Sequence, residues 1–432
     1  MKKVAFYTLG CKVNQYETEA MIELFEKKGY EKAETEDYAD VYVINTCTVT
    51  HMSDRKSRQY IRRVKKKNPN AIIAVVGCYS QVSPEEILSI DEVNLVMGTN
   101  DRRKIVEEVE KIDCHAKVST VDDIMKVKAF EEIEINKTNG KTRAFMKIQD
   151  GCDRFCSYCI IPYARGRVRS RDLESIIHEV KTLADNGYKE VVLTGIHVAS
   201  YGKDIKDSDV KLLDVIKSIN DIDGIERIRL SSVEPILFTD EFVEAVSSMK
   251  KVCPHYHLSL QSGCDETLKR MKRRYNTAEY KEIVDRLRST IPNVSITTDV
   301  IVGFPGETEE EFDKTYKFLK DIELTHMHVF KYSPRKGTPA AVMENQVDPN
   351  TKHDRSEKLL ELNQINFKKF GEKMLNKEFN VLFEQKVGHD KYEGLTENYV
   401  KVIVQSDKDI TEQILKVKII DVKNEFLEGI LV

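Results

Sequence analysis

Up to about position 125, solid apolar runs alternate with helically spaced apolar residues. Val4–Thr8, Val41–Asn45, Ala71–Val76 and Asn94–Met97 predict strands. Glu17–Lys28, Ser53–Lys67, Pro84–Ile90 and Asp101–Lys111 predict the helices that follow them. Strands that read as continuous apolar runs are buried on both faces, so this alternation predicts a parallel sheet layered between helices. From Arg143 the alternation resumes with a longer period. Strands are predicted at Phe145–Gln149, Glu190–Leu193, Arg227–Leu230, Tyr256–Leu260, Val294–Thr298 and Met327–Lys331, with helices such as Leu173–Asn186 and Thr277–Ser289 between them. Six βα units of this kind predict a partial (β/α)6 barrel. A helical stretch from Lys352 to about Leu375 leads out of it. Short β-rich runs follow at Glu378–Phe383, Tyr399–Val404, Gln413–Ile420 and Phe426–Leu431, which predict a small antiparallel β-barrel. The expected units are residues 1–130, 138–367 and 370–432. Residues 112–140, including Asn136 to Gly140, read as a connection with weak strands.

Composition narrows the setting. A chain of 432 residues is long enough for several cores. The formal net charge is −4, so contact with nucleic acid would need a local basic patch. There is no apolar run long enough to span a membrane, and the start turns polar too soon for a signal peptide. A cytoplasmic, reducing compartment is expected, where nine cysteines read as ligands or free thiols and not as disulfides. The helix Ser53–Lys67 carries Arg55, Lys56, Arg58, Arg62, Arg63, Lys65, Lys66 and Lys67. It reads either as a solvated face or as a surface for RNA phosphates.

The cysteines carry the chemistry. Cys152, Cys156 and Cys159 are spaced C-x3-C-x2-C in the loop after the barrel's first strand. Soft thiolates at this spacing suit one iron–sulfur cluster, with one iron left without a protein ligand. A structural zinc site would need a fourth ligand nearby, and no Cys or His follows before His178. Cys11, Cys47 and Cys78 each come just after the end of a successive strand. In an open parallel sheet those ends lie along one edge, so three distant thiolates would converge on a second cluster. The sheet has a flavodoxin-like pattern, but no G-x-G-x-x-G or P-loop motif accompanies it, so a flavin or nucleotide is not expected. Polar residues collect at the barrel strands' carboxyl ends, where such barrels hold their sites: Thr194, Gly195, Ser231, Glu234, Gln261, Asp299 and Tyr332. Thr308 and Glu311 fit a capping box, so Gly303–Thr308 is a helix start and not a phosphate loop. His255/His257 and His326/His328 read as wall or core histidines more readily than as metal ligands, and Cys114, Cys253 and Cys264 as buried small residues.

The stretch Gly151 to Cys159, with Tyr158 before the last cysteine, resembles the signature of the radical S-adenosylmethionine (SAM) superfamily. Three spread cysteines, this barrel and a terminal β-barrel similar to TRAM domains together resemble the methylthiotransferases over essentially the whole chain. Thr8 to Glu17 and Ile160 to Gly166 are similar to the branch acting on threonylcarbamoyladenosine in tRNA. The resemblance implies a [4Fe-4S] cluster on Cys152, Cys156 and Cys159 that binds and cleaves SAM. It implies a second [4Fe-4S] cluster on Cys11, Cys47 and Cys78, and insertion of a methylthio group at carbon 2 of the adenine beside the anticodon. Implied partners are tRNA, SAM, an electron donor and a sulfur source, with the enzyme acting as a monomer. The alternatives are isopentenyladenosine in tRNA, a ribosomal protein, or a non-catalytic iron–sulfur RNA-binding protein. The superfamily's Gly-Gly-Glu position reads Leu193-Thr194-Gly195-Ile196-His197 here. The expected SAM residues are therefore the rim set with Tyr158 and Arg274, where Arg274 suits a carboxylate or is a surface basic turn. Arg55, Arg58, Arg62 and Arg63 are the expected RNA contacts.

Overall fold

In the computed structural model, β1 (Lys3–Thr8), β2 (Glu31–Ala33), β3 (Val41–Thr46), β4 (Ile72–Gly77), β5 (Leu95–Val96) and β6 (Val118–Ser119) form one parallel sheet, ordered β2-β1-β3-β4-β5-β6. The structure describes residues 1–49, 51–133, 135, 142–206 and 208–432. The connection expected at Asn136 to Gly140 and the expected start at 138 lie outside them. Because side chains alternate along a strand, the sheet feeds two separate cores. Tyr42, Ile44, Ile73 and Val75 pack with Tyr60, Ile61 and Val64 of helix His51–Lys67. Val41, Val43, Ala74 and Val76 pack with Met21, Ile22 and Phe25 of helix Lys12–Lys27. That second helix starts five residues before its predicted start. Its first turn, Lys12-Val13-Asn14-Gln15, has no apolar rhythm because it too is covered: Val13 and Asn14 are buried. β2 and β6 are short edge strands whose polar composition hides them from the sequence pattern.

The next strands are β7 (Arg143–Asp150), β8 (Arg169–Ser170), β9 (Glu190–Gly195), β10 (Arg227–Leu230), β11 (His255–His257), β12 (Ser295–Val302) and β13 (His326–Lys331). Parallel pairing runs β7-β9-β10, isolated bridges at Ile228–Val252 and Val233–Leu258 continue it, and β11-β12-β13 completes the arc. Among the described residues β7 and β13 do not pair, so the barrel is open. One apolar core, including Ile148, Leu193, Ile228, Leu258 and Ile296, binds the strands to their helices. Thr308 and Glu311 form the expected capping box on helix Glu309–Ile322.

Helix Pro349–Glu372 leads to β14 (Glu378–Gly388), β15 (Lys391–Thr396), β16 (Lys401–Gln405), β17 (Ile414–Val422) and β18 (Leu427–Leu431), a closed barrel ordered β14-β15-β16-β18-β17. Its pairs are antiparallel except β16–β18, which is parallel. A ring of five strands cannot alternate direction all the way round, so one parallel pair is required. The apolar pattern does not predict β15. This strand carries Gly394, where a Cβ would stand 2.5 Å from the Leu382 carbonyl oxygen, so the tight strand approach removes an apolar residue from the pattern. β16 starts at Lys401 and not Tyr399, because Tyr399 takes φ +65° and turns its ring away from the sheet. That ring stacks on His255 at 4.5 Å, with Arg229 4.7 Å away. Arg227 and Arg229 also donate to the carbonyls of Asn380, Leu395 and Glu397, so the small barrel sits across the amino ends of the large one.

Helix Lys12–Lys27 is sandwiched between the sheet and β7. There the fully buried Glu17 meets Arg102, Lys147 (3.0 Å) and Arg165 (2.5 Å). Asp150 meets Lys147 at 3.1 Å, and Arg165 and Arg169 at 3.5 Å. Burial alone would raise the Glu17 carboxyl. The three cations outweigh that and hold it at about 2, against an ordinary 4.5. Asp150 is likewise held well below its usual range. Carboxylates depressed in the folded state contribute stability that is complete above their ordinary values and is lost as pH falls towards the folded ones. Glu17→Gln leaves three buried cations undercompensated and should cost about 3–5 kcal/mol. Calorimetry at pH 7 should show a melting temperature lower by several degrees. Between pH 4.5 and about 2, the wild-type melting temperature should fall more steeply than that of Glu17→Gln.

Candidate active site: two cysteine triads one short helix apart

β7 ends at Asp150 and the chain reverses at Gly151, whose φ is +72°. A Cβ there would lie 1.8 Å from the Arg167 carbonyl oxygen, so only glycine allows the turn that launches the loop. Cys152 N–H donates to the Gly166 carbonyl and Cys159 N–H to the Cys156 carbonyl, which curls the loop on itself. Ser157 ties it to the barrel through the Arg270 and Met271 carbonyls. Cys156 is buried, while Cys152 and Cys159 are half-buried.

The second triad forms as expected at the sheet's carboxyl edge. Cys11 is the residue before helix Lys12–Lys27, Cys47 follows β3, and Cys78 opens the short helix Cys78–Val82 after β4. At Gly10, φ +112°, a Cβ would stand 2.9 Å from Cys47 Cβ, so the first two loops touch. Cys47 and Cys78 are buried and Cys11 is exposed.

One short helix, Ile161–Arg165, joins the two triads. It begins two residues after Cys159, and its last residue sends Nε to Cys78 Sγ at 3.2 Å. At 1.5 Å rise per residue this five-residue helix spans roughly 8 Å. Thr99 Oγ1 donates to the Ala164 carbonyl at 2.6 Å and fixes the same helix to the N-terminal sheet. Past β13 the chain returns over both loops: Ala340 N–H donates to the Ser157 carbonyl, and Arg335 reaches Thr48 and Asp54 beside Cys47.

The residues fit iron–sulfur clusters. Among the described residues no His, Cys, Asp and Glu gather tightly enough to hold a single metal ion. A four-iron cluster makes a different demand, since each thiolate takes its own iron and the sulfurs spread apart. In each triad the thiols lie within electrostatic reach of one another. Burial pushes Cys152 up to about 11 and Cys78 and Cys159 up to about 12, an environment that a bound cation inverts. Each triad also has N–H donors aimed at sulfur. These are Arg165 on Cys78, Arg273 on Cys156 (3.2 Å) and the Arg154 backbone on Cys152 (3.4 Å), the outer contacts that tune such clusters.

The rim residues expected from sequence fall into four groups, with Arg274 apart from them. Tyr158 and Tyr332 share an apolar cluster with Met271, Phe304 and Ala340. Glu234 accepts from Arg154 and from His197 at 3.1 Å, with Arg273 at 3.9 Å. Burial opposes its charge, but these partners hold it at about 2. Gln261, at φ +75°, donates its N–H to the Asp299 carbonyl, and Asp299 lies 3.3 Å from His257. Thr194 and Ser231 are buried on adjacent strands; Gly195 lets the Gln149 side chain and carbonyl approach its Cα. The Ser231 and Tyr332 hydroxyls are buried without a hydrogen-bond partner. Arg274 is exposed, and the guanidinium that enters the rim is that of its neighbour Arg273. Arg154, Arg165, Arg273 and Arg335 cannot be read from the sequence, because isolated arginines have no pattern. The Arg165 link alone leaves a trace, six residues beyond Cys159.

The histidines meet more closely than expected: His328 lies 5.7 Å from His257 and 4.8 Å from His326, ring to ring. Cys253 and Cys264 are buried as expected, but Cys114 is half-exposed. On helix His51–Lys67, Arg58 is held by Tyr79 (2.6 Å) and Glu86, and Arg63 by Glu36. Arg55 and Arg62 are exposed, two helical turns apart on one face.

Residues 146–319 match the Radical SAM superfamily, and residues 3–98 match a family described as Uncharacterized protein family UPF0004. The chain is 44% identical to the threonylcarbamoyladenosine tRNA methylthiotransferase MtaB of Bacillus subtilis, over 99% of this chain and 96% of that protein. It is 42% identical to the protein of the same name from Aquifex aeolicus, over 94% and 98%. It is 37% identical to the tRNA-2-methylthio-N(6)-dimethylallyladenosine synthase of Clostridium tetani, over 98% and 94%. The radical S-adenosylmethionine methyltransferase TsrM from Kitasatospora setae, solved with cobalamin and a [4Fe-4S] cluster, shares the fold with TM-score 0.56 and 15% identity, covering 79% of this chain and 74% of that one. If each triad holds one cluster, Cys78→Ala and Cys156→Ala should each halve the iron bound per chain after anaerobic reconstitution. The double variant should bind almost none.

Proposed function

The chain belongs to the radical SAM tRNA methylthiotransferases, and on that footing we propose that it converts N6-threonylcarbamoyladenosine beside the anticodon into its 2-methylthio derivative. The observation that carries this reading is the pair of cysteine triads held one short helix apart in a single chain. The choice of base is supported by the identity to relatives named for threonylcarbamoyladenosine, 44% against 37% for the dimethylallyladenosine relative.

Cys152, Cys156 and Cys159 would hold the cluster that, with SAM, would supply radical chemistry, and Cys11, Cys47 and Cys78 would hold the cluster that would supply sulfur. The chain's own residues position and shield. Glu234, kept anionic by Arg154, His197 and Arg273, is an acceptor for SAM's ammonium group. The unpartnered hydroxyls of Ser231 and Tyr332 suit SAM's polar atoms, and burying them unmatched would otherwise be costly. Tyr158 and Phe304, edge to face at 6.5 Å, make an apolar wall that excludes water from the radical. Thr194, Gly195, Gln261 and Asp299 complete the proposed rim. The units are taken as 1–130, 138–367 and 370–432, acting as a monomer supplied with electrons and sulfur by other proteins. Among the described residues no helix is long and apolar enough to cross a membrane. We place the enzyme in the cytoplasm with its tRNA.

Mass spectrometry of tRNA nucleosides from a strain lacking the gene should show the 2-methylthio derivative of threonylcarbamoyladenosine gone and its unmethylthiolated precursor accumulated. Unchanged nucleosides would sink the reading, and loss of a dimethylallyl derivative instead would reassign the base.

For RNA contact we propose Arg55 and Arg62, with Arg58 and Arg63 already committed to protein partners. About 10 Å of helix separates Arg55 from Arg62, enough for two phosphates of one strand. Arg55→Gln with Arg62→Gln should weaken tRNA binding and lower its salt-dependence slope by roughly 0.7–0.9 for each phosphate that is no longer neutralised. Arg58→Gln with Arg63→Gln should change the slope less.

A further inference from the structure

The buried guanidinium of Arg335 reaches the Cys47 loop from a segment that also touches the Cys152–Cys159 loop. It sits in the segment that runs from β13 back over the Cys152–Cys159 loop, where Ala340 N–H donates to the Ser157 carbonyl at 2.8 Å. Its own side chain crosses to the other triad. Nη2 donates to Thr48 Oγ1 at 2.5 Å and to Asp54 Oδ2 at 2.7 Å, and Thr48 is the residue after Cys47. Arg335 is 7% exposed, so its orientation is fixed by packing as well as by these bonds.

Its other two nitrogens, Nε and Nη1, are buried without a hydrogen-bond partner. No other buried arginine among the described residues lacks partners at two nitrogens. The other guanidiniums of the two cysteine loops have partners, though Arg154 Nε, like the Arg335 pair, has none. Arg165 is engaged by Glu17, Asn14 and Cys78, Arg154 by Glu234, and Arg273 by Cys156 and the Ser259 carbonyl. A planar fork with two idle N–H groups, held at its third nitrogen by Thr48 and Asp54, is shaped for an oxyanion.

We propose that Arg335 binds an oxyanion of the substrate nucleotide and so sets the base between the two triads. The proposal rests on the reading of the chain as a tRNA threonylcarbamoyladenosine enzyme. In adenine, carbon 2 and the carbon bearing N6 flank the same ring nitrogen, so a substituent on N6 stays close to the reacting carbon. Its threonyl carboxylate is the anion nearest that carbon, and the nucleotide's own phosphate is the other source. Arg335 is anchored on the Cys47 side through Thr48 and Asp54, away from the loop whose cysteines would hold the SAM-binding cluster.

The test uses the full chain with both clusters reconstituted, and two anticodon stem-loop RNAs that carry N6-threonylcarbamoyladenosine or plain adenosine. Arg335→Lys keeps a cation for Asp54 but loses the fork; Arg335→Gln removes the charge. Both variants should retain iron and visible absorption and bind the threonylcarbamoyl RNA about ten-fold or more weakly by fluorescence anisotropy. If the plain RNA binds as before, the bound group is the carboxylate. If both RNAs weaken together and the salt slope falls by roughly 0.7–0.9, it is a phosphate. Either result supports the proposal. Unchanged affinity for both RNAs overturns it. So does loss of iron in Arg335→Lys, or a raised KM for SAM with RNA affinity intact. Wild-type protein that binds neither RNA would overturn the substrate reading itself, and this proposal with it.

Discussion

The contact on which the rest of the molecule depends is Arg165. Its guanidinium is fully buried and touches three separate elements. These are Glu17 on helix Lys12–Lys27 at 2.5 Å, Asp150 at the end of β7 at 3.5 Å, and the Cys78 thiol at 3.2 Å. Around it four cations (Arg102, Lys147, Arg165, Arg169) face three carboxylates (Glu17, Asp150, Glu131). Buried ion pairs add little net stability over a well-packed apolar core, because desolvation takes back most of the attraction. What they enforce is geometry. An excess positive charge in a dry junction favours a further anion, and a Cys78 thiolate would be in place to supply one. The network therefore favours one arrangement of the two domains, the arrangement that sets Arg165 against Cys78.

That placement has a chemical reason. A radical made at one cluster and sulfur held at another are of use only if both reach the same carbon. Ile161–Arg165 is the stretch that sets their separation. It is too short to flex as an independent element, and it is pinned at one end by the Cys159 loop and at the other by Glu17 and Thr99. The strap through Arg335 and Ala340 adds a second tie between the same two loops, on the barrel's far side.

How much of this is legible in the sequence follows from which signals are local. Largely apolar runs mark β3 and β4 within a residue or so, because a strand buried on both faces has few polar positions to blur it. The Cys152–Cys159 loop is legible from spacing alone, and the Cys11, Cys47 and Cys78 set from its place after successive strands. β2 and β6 are hidden because edge strands need few apolar residues. The pattern cuts helix Lys12–Lys27 short because its first turn, Lys12-Val13-Asn14-Gln15, has no apolar rhythm, and within the helix Glu17, Glu19 and Glu23 are buried against every amphipathic rule. Glu17 faces the second domain, which no local pattern can announce. For the same reason the arginines of the site escape a reading of the sequence. Arg165 meets Cys78 87 positions away and Arg335 meets Thr48 287 positions away, and an arginine's sequence neighbours do not reveal whether it meets a thiol, a carboxylate or water.

The polar interior of the large barrel shows from which side a substrate must come. Arg143, Arg229, Glu190, His255, His257 and Thr297 bond to one another or to closing elements, a lining that would be unstable if it were dry and unmatched. At the amino ends Tyr399 plugs it. Burial pushes the phenol up, but Lys12, Arg143 and Arg229 outweigh this and bring it below its ordinary range, so the plug is an electrostatic fit as well as a steric one. At the side, helix Lys12–Lys27 packs on β7 and β9. On the inner side of β13, however, His328 and Phe330 stay exposed, and the loops at the carboxyl ends carry exposed Val49, Met52, Tyr163, Ile236 and Val342. An apolar, aromatic mouth beside a basic helix suits an unstacked base with its phosphates outside. The small barrel lies at the opposite end, so any contact it makes with RNA must be to a part of the tRNA distant from the base being modified.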